Sequence, residues 1–164
     1  MTSNDGVGVT EIEHDSEART LVNGYNEKGS YNRTIKYGIS TEQIVAIINQ
    51  SIKCEQFIKY ECYHSKLLKS STGWWVSRQG LKMSYWGGAA VDSGKCACGM
   101  NNSCAGGKKC NCDNNDAIWR EDSGYLTDKR TLPVIELRFG DTGVANSGEN
   151  ECGFHTLGKL RCWG

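Results

Sequence analysis

Nine cysteines among 164 residues are the groups with the most chemistry to offer. Five of them, Cys96, Cys98, Cys104, Cys110 and Cys112, form C-x-C-x5-C-x5-C-x-C, and the others are Cys54, Cys62, Cys152 and Cys162. Such a cluster can hold zinc through thiolates or can be oxidised to disulfides. Structural zinc sites favour C-x2-C or C-x4-C pairs and four ligands, whereas here the pairs are C-x-C and the cluster has five members. A disulfide framework is therefore the expectation, and with it an oxidising, extracellular setting. The spacing alone leaves the pairing open. Three sequons, Asn32-Arg33-Thr34, Asn49-Gln50-Ser51 and Asn101-Asn102-Ser103, agree with export and mark Asn32, Asn49 and Asn101 for glycosylation.

The run Asp113-Asn114-Asn115-Asp116 offers hard oxygen donors close together on a loop, which suits calcium. Asp113 and Asp116 are the expected ligands, with Glu121 and Asp122 near enough in sequence to complete a shell. A solvated Asx-rich turn would use the same residues. The border of this loop carries Trp119 and Tyr125. Sugars stack their C–H faces on aromatic rings while Asn, Asp and His bond the hydroxyls. Asp113, Asn114, Asn115, Asp116, Trp119 and Tyr125 are thus the expected ligand-binding set, with His155 as the next candidate. Trp74, Trp75 and Trp86 read better as core. No G-x-S-x-G, H-E-x-x-H or P-loop pattern is present, and the three histidines (His14, His64 and His155) stand apart. No enzyme is expected.

The elements that must position these groups are legible in part. Ser40 caps a helix over Ser40–Lys53, with Gln43 completing a capping box and Ile44, Ile47, Ile48 and Ile52 on one face. Phe57–Cys62 alternates, placing Ile58, Tyr60 and Cys62 inward and Lys59 and Glu61 outward. Trp74–Val76 and Leu81–Trp86 flank Arg78-Gln79-Gly80 as a hairpin. Leu132–Phe139 and Leu157–Trp163 read as strands. Between Gly87 and Ser123 the chain is rich in Gly, Asn, Asp and Cys and needs covalent pinning.

Lys+Arg and Asp+Glu both number 19. That balance argues against a general nucleic-acid binder, which must neutralise phosphates. Residues 1–20 hold five acids against Arg19 and are expected to form a flexible acidic segment, with 21–164 as a single domain. The start lacks the basic end and apolar core of a secretory signal, so a removed signal or another export route is expected. No apolar run is long enough for a transmembrane helix.

CEQFIKYECYHSKLL (Cys54–Leu68), GWWVSRQ (Gly73–Gln79), YWGG (Tyr85–Gly88), KCACG (Lys95–Gly99) and CNCDNNDAIWREDSGYLT (Cys110–Thr127) resemble the fibrinogen-like region of contactin-associated proteins, the neurexin IV group. LPVIELRFGDTG (Leu132–Gly143) and LGKLRCWG (Leu157–Gly164) continue the likeness in order, from about Leu21 to the last residue. A more distant likeness is to the C-propeptide of fibrillar collagens. The resemblance implies an α+β, disulfide-rich, fibrinogen-like C-terminal domain with a mainly antiparallel sheet, one main helix and long cysteine-pinned loops. It implies a Cys62–Cys162 bridge, which leaves 15 pairings for the other six cysteines apart from Cys152. Cys152 has no counterpart, so it is expected to join two chains of a homo-oligomer. Fibrinogen-like lectins recognise N-acetylated sugars. With no laminin-like, discoidin-like or transmembrane part in view, the expected function is a secreted lectin for N-acetylated hexosamines. The alternative is an extracellular protein–protein adhesion or assembly module.

Overall fold

A computed structural model describes residues 2–4, 7–144 and 150–164; Met1, Asp5 and Gly6 of the acidic segment lie outside the described residues. Eleven strands and one α-helix follow in the order β1 (Thr2–Asn4), β2 (Val7–Ile12), β3 (Thr20–Asn23), β4 (Tyr31–Thr34), α1 (Thr41–Gln50), β5 (Lys53–Tyr63), β6 (Trp74–Val76), β7 (Lys82–Met83), β8 (Trp119–Leu126), β9 (Glu136–Phe139), β10 (Gly143–Val144) and β11 (Asn150–Trp163). All pairings are antiparallel. The larger sheet runs β1-β2-β11-β5-β8, with β3 and β10 also on β11; the smaller runs β4-β9-β6-β7. This is a disulfide-rich α+β architecture.

The helix forms where capping chemistry places it. The Ser40 hydroxyl accepts the Gln43 N–H while the Gln43 side chain accepts the Ser40 N–H, satisfying two orphan donors of the first turn. Ile44 and Ile48 enter the core. The helix stops at Gln50, before the expected Lys53, so Ile52 falls beyond it and is 78% exposed.

β5 sets the molecule's inner and outer layers. Cys54, Gln56, Ile58, Tyr60 and Cys62 are buried, and the intervening residues face solvent in part, as period-two side-chain geometry requires. β11 pairs with it from Cys152↔Tyr63 to Trp163↔Lys53, with a bulge between Leu157 and Leu160. The bulge leaves the Gly158 carbonyl outside the ladder, where it accepts from Gln56 Nε2 (3.1 Å) and His14 Nε2 (2.9 Å). Gln56, wholly buried, also donates to the Tyr37 hydroxyl and accepts the Val134 N–H. A buried amide is tolerated only when satisfied in this way.

Three expectations shift. Val7–Ile12, inside the stretch read as flexible, forms a strand whose residues Val9 to Ile12 pair with β11, with Val9 and Ile12 buried; burial of these two side chains outweighs the acidic composition. The strand expected at Leu132–Phe139 is confined to Glu136–Phe139. Pro133 has no N–H to donate, and the Val134 N–H turns to Gln56 instead. The loop region contains short 3-10 turns at Ala97–Met100, Ala105–Gly107 and Cys112–Asn114.

Four disulfides join Cys54–Cys162, Cys62–Cys112, Cys96–Cys110 and Cys98–Cys104, and Cys152 is the free thiol. The Cys62–Cys162 bridge is thus corrected. The β5–β11 register sets Cys162 opposite Cys54 and Cys62 opposite Gly153, so Cys62 points to the loop and meets Cys112.

Candidate interaction surface

The outward face of β5, β8, β11 and β3 collects large side chains that the core does not take. On β8, Trp119 and Tyr125 are 50% and 45% exposed. Across the ladder Trp119 sits opposite Tyr63, and Tyr125 opposite Phe57. Their rings lie 5.5 Å and 5.4 Å apart, within aromatic contact range. Phe154 of β11 reaches Trp119 at 5.8 Å, and Leu21 of β3, opposite Phe154 in the register, is half exposed.

An ion-pair strip runs between the aromatic ends. Arg19 lies 3.5 Å over the Phe154 ring and donates to both Glu61 oxygens, at 2.8 and 3.2 Å. Lys59 approaches Glu61 and Glu121 at 3.8 Å each. The hydrogen bond from Arg19 holds the Glu61 carboxyl below its usual range. A shallow cavity of about 370 Å³ opens here, lined by Arg19, Glu61, Trp119, Arg120 and Glu121. Aromatic residues and arginine, here Trp119, Tyr125 and Arg19, are what protein interfaces enrich.

The expected ligand set divides. Trp119 and Tyr125 lie on this face. The Asp113 carboxylate is turned inward, accepting the Leu67 N–H at 2.9 Å, and burial raises its pKa. Asp116 is held by Arg120 at 2.7 and 2.8 Å, which lowers its pKa, and it accepts from Asn114 Nδ2. Asn115 closes the turn in the left-handed region. The two carboxylates expected to share calcium therefore serve different partners. Glu121 joins the ion-pair strip. Asp122 is buried and accepts N–H bonds from Asn111 (2.9 Å) and Cys112 (2.8 Å), tying the cysteine loop to β8; burial pushes its pKa up to about 6.

His155 points the other way, into the core. It is wholly buried and bonded through Nε2 to the Tyr31 hydroxyl at 2.7 Å, and burial brings its pKa down to about 4. Among the described residues one group of three ligating side chains converges, Cys96, Cys110 and Asp122, and there the two sulfurs are spent on a disulfide. Asn32, Asn49 and Asn101 are all exposed. Trp75 and Trp86 are wholly buried, their indole N–H groups donating to the carbonyls of Tyr85 and Asp122.

Phe57, Tyr63 and Phe154 were not singled out from the sequence. The signal was present: extending the alternation that exposes Lys59 and Glu61 by one step each way places Phe57 and Tyr63 beside them. Phe154 required the last strand to begin before Leu157.

No family model matches the chain. It is 40% identical over 169 residues to Neurexin-4 of Drosophila melanogaster, an alignment covering 98% of this chain and 13% of that protein. It is 37% identical over 161 residues to contactin-associated protein 1 of Mus musculus and of Homo sapiens, covering 94% of this chain and 11% of each. The chain is thus homologous, over nearly its whole length, to a small part of these larger proteins.

Proposed function

We propose that the chain is a fibrinogen-like extracellular adhesion or assembly module and not an enzyme, binding a protein partner through the outward sheet face. The aromatic and charged surface around Trp119 carries this reading, since nothing in the core requires Trp119 or Tyr125 to lie there. The homology to Neurexin-4 and contactin-associated protein 1 supports it. The four disulfides suit an oxidising compartment. Cys152 sits on β11 two residues from Phe154, opposite Tyr63, where it would link two copies of a homo-oligomer.

A lectin for N-acetylated hexosamines is the second reading. It is favoured by the half-exposed Trp119 ring beside the polar groups of the shallow cavity. The two separate in one experiment. The labelled protein is added to cultured cells with and without brief trypsin treatment, with millimolar N-acetylglucosamine, and with a calcium chelator. An adhesion module loses binding after trypsin and ignores the sugar. Inhibition by the sugar would establish the lectin instead, and loss with chelator would attach calcium to the site.

A further inference from the structure

A second cavity, of about 420 Å³, lies away from the sheet face among Leu68, Lys69, Ser70, Gly94, Gly107, Lys108, Lys109 and Asp113. Lys69, Lys108 and Lys109 are exposed. None has a carboxylate within ion-pair distance among the described residues. With 19 bases and 19 acids in the chain, this concentration of charge is a matter of placement, not composition.

The placement is built. Asp113, the one acid in the lining, spends its carboxylate on the Leu67 N–H, with the N–H groups of Leu68 and Lys69 also directed at it. It thereby fixes the turn that carries Lys69. Ser70 and Ser71, which follow, both have φ near +56°, a conformation costly for residues with a Cβ and found where surrounding structure over-determines the backbone. On the opposite wall, Lys108 and Lys109 follow Gly106 and Gly107, both at positive φ. They lie in the segment bounded by the Cys96–Cys110 and Cys98–Cys104 bridges, and the Lys109 carbonyl accepts the Cys96 N–H. The backbone that carries three cations is thus held around one cavity by covalent and buried-polar supports, so binding has only the lysine side chains left to order.

We propose that this cavity is a binding site for sulfated oligosaccharide. Its volume falls within the range of small-ligand sites. Its walls offer ammonium groups, a serine hydroxyl and glycine backbone, with no aromatic ring for stacking. That suits a ligand recognised by its ester sulfates more than by its sugar faces. An acidic peptide would be better served by a strand edge or an extended groove than by this open hollow between two loops. The site is independent of the sheet face and stands whether or not that face binds protein.

The test is titration calorimetry of the intact chain with a fully sulfated heparin-derived hexasaccharide at several salt concentrations. Parallel titrations use its desulfated counterpart, a deca-glutamate peptide, and inorganic sulfate and phosphate. The expected result is binding of the sulfated sugar that weakens steeply with salt, none of the desulfated one, and only millimolar binding of the free anions. The variant K69A/K108A/K109A should lose at least ten-fold in affinity. K28A/K36A/K53A, which removes as much charge outside the cavity, should stay within about two-fold. Equal loss in both variants, equal binding of deca-glutamate, or no binding of the sulfated sugar would overturn the site. Circular dichroism checks that each variant is folded.

Discussion

Asp122 and His155 are both buried on the core-facing side of the larger sheet, flanking Tyr60 of β5 in register, and each resists the charge it would carry in water. Burial raises the Asp122 pKa to about 6, against hydrogen bonds from Cys112 and Asn111 that oppose the rise. Its folded pKa thus exceeds its unfolded value of 3.8, so it adds stability below about pH 4 that is lost as pH rises through 6. Burial, aided by Arg33, lowers His155 from 6.5 to about 4. It adds stability above pH 6.5 that is lost as pH falls through 4. Each window is worth on the order of 3 kcal/mol, with opposite signs. The intact chain should therefore change little in stability between pH 6.5 and 4.5 in chemical denaturation. Asp122→Asn should expose the acid loss due to His155, and His155→Gln should leave a gain on acidification. Parallel pH profiles for all three proteins would contradict these assignments. The inward turn of His155 follows from the parity of β11, which was not legible while the strand was read only from Leu157. The engaged state of Asp113 and Asp116 was not legible either, because their partners, the Leu67 N–H and Arg120, are set by the folded loop. Cys152 is half-buried and its thiol pKa is raised by burial. Thiol titration under denaturing conditions should find at most one free thiol per chain. The proposed link between copies predicts a band near twice 18.1 kDa on a non-reducing gel, lost in Cys152→Ser. A monomer band alone would remove that link.

Among the elements, the capped helix and the alternating β5 were readable because each rests on local chemistry: a serine–glutamine box and a period of two. The disulfide pairing was not, because it depends on which residues the long ladder sets opposite one another. Cys54 meets Cys162 only in the register that also buries Leu157 and Leu160. Loop entropy ranks the bridges. Closing the 50-residue span of Cys62–Cys112 should contribute about 4 kcal/mol and the 6-residue span of Cys98–Cys104 about 2 kcal/mol. Alanine pairs at each bridge, measured by denaturant unfolding, should fall in that order, and the reverse order would count against these pairings. A second joint is steric. Gly87 and Gly124 pack backbone against backbone, and a Cβ on either would strike the other's carbonyl. Gly124→Ala should cost about 2–4 kcal/mol and loosen the cysteine loop from β8. Retention of full stability would mean that the loop can shift to admit a methyl group.

At the scale of the molecule, the fold separates a core-facing layer from an outward face that keeps six large apolar side chains in or near solvent. The chain spans about an eighth of the length of Neurexin-4 and about a ninth of contactin-associated protein 1. The cysteine framework and the family resemblance made a disulfide-rich α+β domain, homologous to a part of Neurexin-4 and contactin-associated protein 1, legible from sequence. The convergence of Trp119, Tyr63 and Phe154 from three strands with Arg19 was not, because it depends on the register of the ladders. The most direct measurement is binding of Trp119→Ala/Tyr125→Ala to trypsin-sensitive sites on cultured cells, beside the unaltered chain. Both residues are about half exposed, so the double variant should remain folded by circular dichroism. The outward-face reading predicts at least a ten-fold loss of binding, the scale of an interface hot spot. Undiminished binding by the folded double variant would contradict it.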